Sequence, residues 1–207
     1  VLQDAQARML IADGIKFHER VQALYQKNTI EQVLTLAPSS IDAGLLQQAL
    51  TMSTEPISIE SQPDDFTKIS YSGGTTGRSK GILQTHRTAI TMVTYQLAYY
   101  EWPQNIRFLA TTPISHAAGS FVLPIFLRGG TMHLQDKYAA DSFIQYVAQH
   151  QINTSFMVPT QIYTLLDSPL LDQAKLSSLE YILYGASPMA PSRLLKALQK
   201  IGPVFGQ

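Results

Sequence analysis

No cysteine occurs in the 207 residues, which excludes disulfides, thiolate metal sites and cysteine nucleophiles. Charge is scarce too: Asp, Glu, Lys and Arg make up 14% of the chain, against roughly 25% in an average domain. The 15 basic and 15 acidic side chains cancel, so no field favours nucleic acid or an anionic membrane. Long apolar runs are also missing. The strongest, Phe121 to Leu127, is interrupted by Pro124 and falls far short of the ~20 residues of a membrane span. No signal peptide opens the chain. These absences predict a soluble, cytoplasmic protein with no nucleic-acid partner and no membrane span. The low charge predicts that part of its surface is covered by something else.

What is present begins with "YSGGTTGRSKGILQTH", residues 71 to 86. Glycines let a backbone approach closely and turn through positive φ, while Ser and Thr add hydroxyl donors. That many small donors in one place suit an anion with many oxygens, such as a polyphosphate. Phe66, Ile69 and Tyr71 form a strand-like run upstream, and Ile82 to Tyr100 reads as a helix downstream, so the loop is expected between strand and helix, where amides can face a phosphate. Ser72, Thr75, Thr76 and Lys80 are the available partners. The competing reading is a flexible Gly/Ser/Thr linker, but linkers are not normally bounded by a strand and a helix. The loop G-x-x-x-x-G-K-[ST] of nucleotide triphosphatases does not match, because Arg78 and Ser79 separate Gly77 from Lys80 and Gly81 follows. His86, after Thr85, is read as a packing or capping residue.

Along the rest of the chain, apolar runs predict strands at Met9 to Ala12, Val33 to Ala37, Phe108 to Thr112, Thr131 to Leu134, Ser155 to Val158 and Tyr181 to Tyr184. Helical spacing falls between them: Ile15 to Gln26, a helix carrying Leu45, Leu46 and Leu50 with Asp42 as its cap, Ser142 to His150, and a last one opened by Pro191. Strands alternating with helices argue an α/β fold with largely parallel sheets flanked by helices. No internal repeat is visible. The polar, proline-bearing stretch 51–65 is the expected linker, dividing a partial N-terminal α/β sub-lobe and linker (1–65) from residues 66–207.

Three further stretches carry chemistry. In "PISHAAGSF", residues 113 to 121, His116 is the one titratable group. Ala117, Ala118, Gly119 and Ser120 leave room for a ligand or a close helix, in a loop following a strand, where α/β proteins place ligands. Read by itself, such a histidine also fits a satisfied structural role. "LEYILYGASPMAP", residues 179 to 191, is a strand entering the small-residue turn Gly185, Ala186, Ser187, Pro188; an ordinary strand-to-helix turn reads the same way. The chain ends in "VFGQ".

Residues 71–81 resemble the phosphate loop of the adenylate-forming superfamily (acyl-CoA and aryl-CoA synthetases, luciferases, adenylation domains of peptide synthetases), whose wording is Y-[ST]-S-G-T-T-G-x-P-K-G. Tyr71, Ser72, Gly74, Thr75, Thr76, Gly77, Lys80 and Gly81 match, while Gly73 stands where serine is usual and Ser79 where proline is usual. The resemblance continues in the family's order. Residues 113–119 are similar to P-x-x-H-x-x-G of the CoA synthetases, and 158–166 to V-P-T-x-x-x-x-L-L. Arg128-Gly129-Gly130 matches the family's turn before a strand, 185–188 resemble G-[GAE]-[AS]-P, and Phe205-Gly206-Gln207 resemble the opening of Y-G-x-T-E.

The resemblance implies part of the family's large N-terminal domain, truncated at its C-terminus, with the missing C-terminal part as a partner and the 207 residues alone inactive. It implies an AMP-forming acid–CoA ligase using ATP, Mg²⁺ and CoA on a carboxylic acid. Lys80 would act as an electrostatic clamp, with Ser72, Gly73, Gly74, Thr75, Thr76, Gly77, Gly185, Ala186, Ser187, Pro188, Phe205 and Gly206 around the nucleotide. His116, Ala117, Gly119, Ser120 and Gly185 would lie by the acid. Two alternatives stay open: an amino-acid adenylation domain, for which Asp136 and Asp141 are the acidic candidates, and a non-catalytic nucleotide- or acyl-binding module.

Overall fold

In the computed structural model, which describes residues 1–27, 30–71, 79–173 and 176–207, the chain divides into two units, residues 1–89 and 90–207. In the first, β1 (Met9–Ala12) and β2 (Gln32–Thr35) pair in parallel from Met9 opposite Gln32 to Ala12 opposite Thr35. A parallel pair needs a crossover, supplied by α1 (His18–Gln26). The helix starts three residues later than expected because the Asp13 carboxylate accepts from the N–H groups of Ile15 and Lys16, at 3.0 and 2.8 Å, and holds that stretch as a turn. Val21, Ile30 and Val33 form the core, with Leu10 and Ile41 packed against it.

Asp42 does not cap the next helix, α2 (Leu45–Ala49), whose cap position is Gly44. Its carboxylate instead accepts from the Thr35 N–H at 2.9 Å and from the Gln48 amide, tying the end of β2 to the helix.

The larger correction concerns residues 82–85, expected in a helix. With Gly81 they form β4 (Gly81–Thr85), antiparallel to β3 (Phe66–Tyr71), with Ile69 opposite Leu83, Ser70 opposite Ile82 and Tyr71 opposite Gly81. Cross-strand apolar pairs override the helical spacing here. Helix α3 (His86–Tyr99) begins only after Thr85. Thr85 and Thr88 exchange bonds there: the Thr88 N–H donates to Thr85 Oγ1 (3.2 Å) and the Thr85 N–H to Thr88 Oγ1 (3.0 Å), a reciprocal N-terminal cap. His86 is neither the cap nor buried; it is exposed.

The second unit is built on five parallel strands, β5 (Arg107–Ala110), β6 (Thr131–Leu134), β7 (Thr154–Met157), β8 (Tyr181–Tyr184) and β9 (Phe205–Gly206), in the order β6-β5-β7-β8-β9. The period-2 alternation of a strand sorts the side chains onto two faces. Leu109, Met157, Ile182 and Tyr184 pack with α5 (Ala140–His150), α6 (Pro159–Leu166) and α7 (Pro191–Lys200). Phe108, Ala110, Phe156, Tyr181 and Leu183 pack with Phe121, Ile125 of α4 (Val122–Leu127), and Trp102.

Helix α4 closes in a Schellman motif, with the Gly130 N–H on Ile125 O (2.8 Å) and the Gly129 N–H on Phe126 O (3.0 Å). Gly129 takes φ 69°, the left-handed value that favours glycine there. Buried Asn153 fastens the amino ends of three strands. It accepts from the Arg107 N–H (2.8 Å), and its amide donates to Asn105 O (2.8 Å) and Glu180 (3.2 Å).

Candidate functional site

In this sheet the connection leaving β5 runs through α4 on one face, and the connection leaving β7 runs through α6 on the other. The chain direction therefore splits between β5 and β7, the kind of switch point at whose carboxyl ends parallel α/β sheets bind ligands.

Gln161 organises that point. It stands three residues after Val158, and its Oε1 accepts from the Val158 N–H (3.1 Å) while its Nε2 donates to Thr111 O (2.7 Å). The Thr111 hydroxyl donates across to Phe156 O (2.6 Å), and the Tyr138 hydroxyl donates to Gln161 O (2.8 Å). Burial pushes the Tyr138 phenol up to about 12, so it stays a donor. The sequence reading passed over Gln161, although a Gln at the third helical position behind Pro159 is a recognisable N-terminal signal.

From this anchored strand end the chain runs through Thr112 to Ser115 into His116. The imidazole is exposed, and it makes no hydrogen bond to the described residues. Only its backbone is held, the N–H donating to Pro113 O (2.9 Å). Ala117, Gly119 and Ser120 lie in the 3-10 turn Ala117–Phe121. Gly119 has a steric cause: a Cβ there would collide with Ile114 O. The Ser120 hydroxyl donates to Ala117 O (2.7 Å), so it closes the turn.

Two strands away, Gly185 follows β8 with its N–H toward Met157 O. A Cβ on Gly185 would meet only the Phe156 ring, at an ordinary 3.6 Å, so the fold itself does not demand glycine there. Ala186 takes φ 69°, a left-handed conformation that costs a non-glycine residue energy and concentrates at functional sites. Ala186, Ser187 and Pro188 are exposed at this edge.

On β9, Gly206 is required by packing, since a Cβ would collide with the Tyr181 ring at 2.5 to 2.8 Å. Phe205 lies edge-on to Tyr184, whose hydroxyl donates to Gln207 Oε1 (3.0 Å). The His116 loop, the Val158–Gln161 corner, the Gly185–Pro188 turn and Gln207 thus share the carboxyl end of one sheet.

Of the phosphate-loop candidates, Ser72, Gly73, Gly74, Thr75, Thr76 and Gly77 lie outside the described residues. Lys80 belongs to the first unit, exposed at the head of β4. Lys80 stands before a strand antiparallel to β3 and not before a helix, so the helix-terminus argument for phosphate binding falls away. At the end of β3 the Tyr71 hydroxyl donates to the Asp4 carboxylate (2.6 Å). That acceptor raises the tyrosine's pKa. Of the two acidic candidates, Asp141 accepts from the Ser168 hydroxyl (2.6 Å), and Asp136 is exposed. Among the described residues no three His, Asp or Glu side chains converge to hold a metal ion, and no helix is long and apolar enough to cross a membrane.

A family model described as AMP-binding enzyme matches residues 1–207. Over the whole chain the sequence is 37% identical to a medium/long-chain-fatty-acid–CoA ligase, FadD8, of Mycobacterium tuberculosis, of which it spans 38%. It is 31% identical to a feruloyl-CoA synthase of Amycolatopsis over 81% of the chain and 34% of that protein. Among solved structures, ATP-bound MatB from Rhodopseudomonas palustris superimposes with a TM-score of 0.81 at 25% identity, over all of this chain and 41% of that one. The amide bond synthetase McbA from Marinactinospora thermotolerans shares the fold, with a TM-score of 0.80 at 23% identity over 96% of this chain and 38% of its own. A match that covers every residue, on an α/β sheet whose carboxyl end gathers the recognised motifs, makes this chain a member of the AMP-binding enzyme family.

Proposed function

We propose that the protein is an ATP-dependent, AMP-forming acid–CoA ligase. The carboxylate oxygen of an acid attacks the α-phosphorus of ATP, the bond to the β-phosphate breaks, and pyrophosphate leaves. The CoA thiol then adds to the acyl carbon and AMP departs. The observation that carries this reading is 37% identity across the whole chain to a CoA ligase, and the exposed His116, whose imidazole makes no hydrogen bond among the described residues, is consistent with it.

Both steps are positioning and charge stabilisation. Lys80 and the donors of residues 72–77 hold the phosphates, His116 receives the carboxylate, and Gly185 to Pro188 offer a small-residue edge to adenine. Phe205 and Gly206 border the nucleotide, and Ala117, Gly119 and Ser120 shape the wall beside the acid. Mg²⁺ is a companion of the nucleotide in this reading. The described residues offer it no set of carboxylates, so no step is assigned to it. Cytoplasmic pools of ATP and CoA are the matching location.

The test is acid-dependent exchange of labelled pyrophosphate into ATP by the full-length protein that carries these 207 residues together with the C-terminal part, then thioester formation on adding CoA. Exchange with a carboxylic acid and an acyl-CoA product by mass spectrometry are expected. Nucleotide binding without acid-dependent exchange would instead support the non-catalytic module.

A further inference from the structure

Away from the carboxyl end of the sheet, two of the chain's five histidines meet between a strand and a helix. His133, on edge strand β6, stands in register with Leu109 of β5, whose side chain packs with α5. His150 is the last residue of α5. Their ring centroids lie 5.3 Å apart. Tyr146, one turn before His150, stacks 4.1 Å from the His150 ring and meets the His133 ring edge-on at 5.7 Å, so one aromatic neighbour holds both imidazoles. Both histidines are half-buried, and neither imidazole makes a hydrogen bond among the described residues. Packing alone would be served as well by a phenyl ring or a leucine, without two bases that repel once protonated.

We propose that His133 and His150 form a bidentate site for a divalent transition-metal ion of the Zn²⁺ class, each giving one ring nitrogen while water completes the coordination. The spacing carries the assignment. An imidazole nitrogen lies about 1.1 Å from its ring centroid and binds Zn²⁺ at about 2.0–2.1 Å, so two imidazoles on one tetrahedral ion have centroids about 5 Å apart. The observed 5.3 Å meets that distance, leaving only rotation of the rings to aim the two nitrogens. Imidazole suits Zn²⁺, Ni²⁺ and Cu²⁺, whereas Mg²⁺ and Ca²⁺ take oxygen ligands, so this site is separate from any that serves a nucleotide's Mg²⁺. The carboxyl end of α5 also favours a cation. Arg107 already uses it, its Nε–H donating to Gln151 O, and that guanidinium opposes a second positive charge, which keeps the affinity modest. A bound ion clips edge strand β6 to α5.

The test uses the full-length protein, stripped of metal with a chelator and titrated with Zn²⁺, and no step of it depends on the ligase reading. Histidines are modified with diethyl pyrocarbonate, and the rate at each residue is read by peptide mass spectrometry. His133 and His150 are expected to be protected together, at the same zinc concentration, while exposed His86 is not. Unchanged rates at the pair overturn the site, as does protection of one partner alone or of all histidines alike. Mg²⁺ in place of Zn²⁺ should protect neither, and equal protection by Mg²⁺ overturns the imidazole assignment. His150→Gln removes one arm of the chelate, so protecting His133 should then need at least about tenfold more zinc. Protection at an unchanged concentration overturns the pairing. The wild-type footprint stands whether or not the variant folds.

Discussion

The first unit surrounds its parallel pair with a core of Val21, Ile30 and Val33, and its β3–β4 hairpin buries none of its described side chains. The second encloses a five-stranded sheet between clusters of fourteen and ten buried residues. Yet the motif most specific in sequence, the stretch 71–81 that resembles a phosphate loop, falls in the thinly packed unit, and the plainer His116 and Gly185 segments sit on the deeply packed one. Two kinds of precision are separated here. A loop that carries its own backbone and hydroxyl donors needs little scaffold. A lone imidazole must be aimed, so it hangs from a strand whose end is pinned by Thr111, Gln161 and Tyr138.

The comparison breaks first on stability. Ile182 is fully buried in β8, so Ile182→Ala is expected to cost about 2–5 kcal/mol in denaturant unfolding, whereas Ile69→Ala, at a side chain 39% exposed in the hairpin, is expected to cost less than about 1 kcal/mol. Equal losses would erase the distinction between the units.

On chemistry the order reverses. In the full-length protein, Lys80→Ala should slow acid-dependent pyrophosphate exchange by about one to two decades, the worth of one charge-assisted contact of roughly 1.5–3 kcal/mol, with a nearly unchanged melting temperature. His116→Ala should raise KM for the acid more than it weakens binding of a non-hydrolysable ATP analogue. A mutant with normal acid saturation and rate returns His116 to a structural role.

The smallest effect concerns pH and belongs to the second unit. Burial, then the neighbouring His150 and Arg107, lower the pKa of His133 on edge strand β6 below its ordinary 6.5. The folded state therefore binds fewer protons there than the unfolded chain. The stabilisation is complete above about pH 6.5 and fades as pH falls through the lower folded value. Urea unfolding at pH 7 and pH 5 should show a drop that His133→Gln reduces. An identical drop in the variant would assign the pH dependence to other groups.

Several elements were legible in advance for reasons that differ. Strands β1, β6 and β8 fall on the expected residues because short apolar runs between turn residues have few other uses. Residues 82–85 misled because Ile82 and Leu83 fit both a helical stripe and a strand, and only pairing with Ile69 and Ser70 decides. Asp42 looked like a cap by its position ahead of the leucines, but the Thr35 N–H and the Gln48 amide claimed its carboxylate. Residues 72–77 lie outside the described residues.

By itself the sequence determined the chemistry on offer: which donors, which imidazole, which small-residue turns, and the absence of thiols. These are properties of side chains and of short stretches in chain order, and they survive without knowing where the stretches lie. The tertiary structure decided which of those groups are free to act. Gly119 and Gly206 are consumed by the carbonyl of Ile114 and the ring of Tyr181, while Gly185 meets only an ordinary contact. Thr111 is tied across the sheet, while the hydroxyl of Thr112, one residue on, has no hydrogen-bond partner among the described residues. Neighbouring residues of the same type have the same local propensities, so only the long-range contacts of strand order and packing could tell them apart.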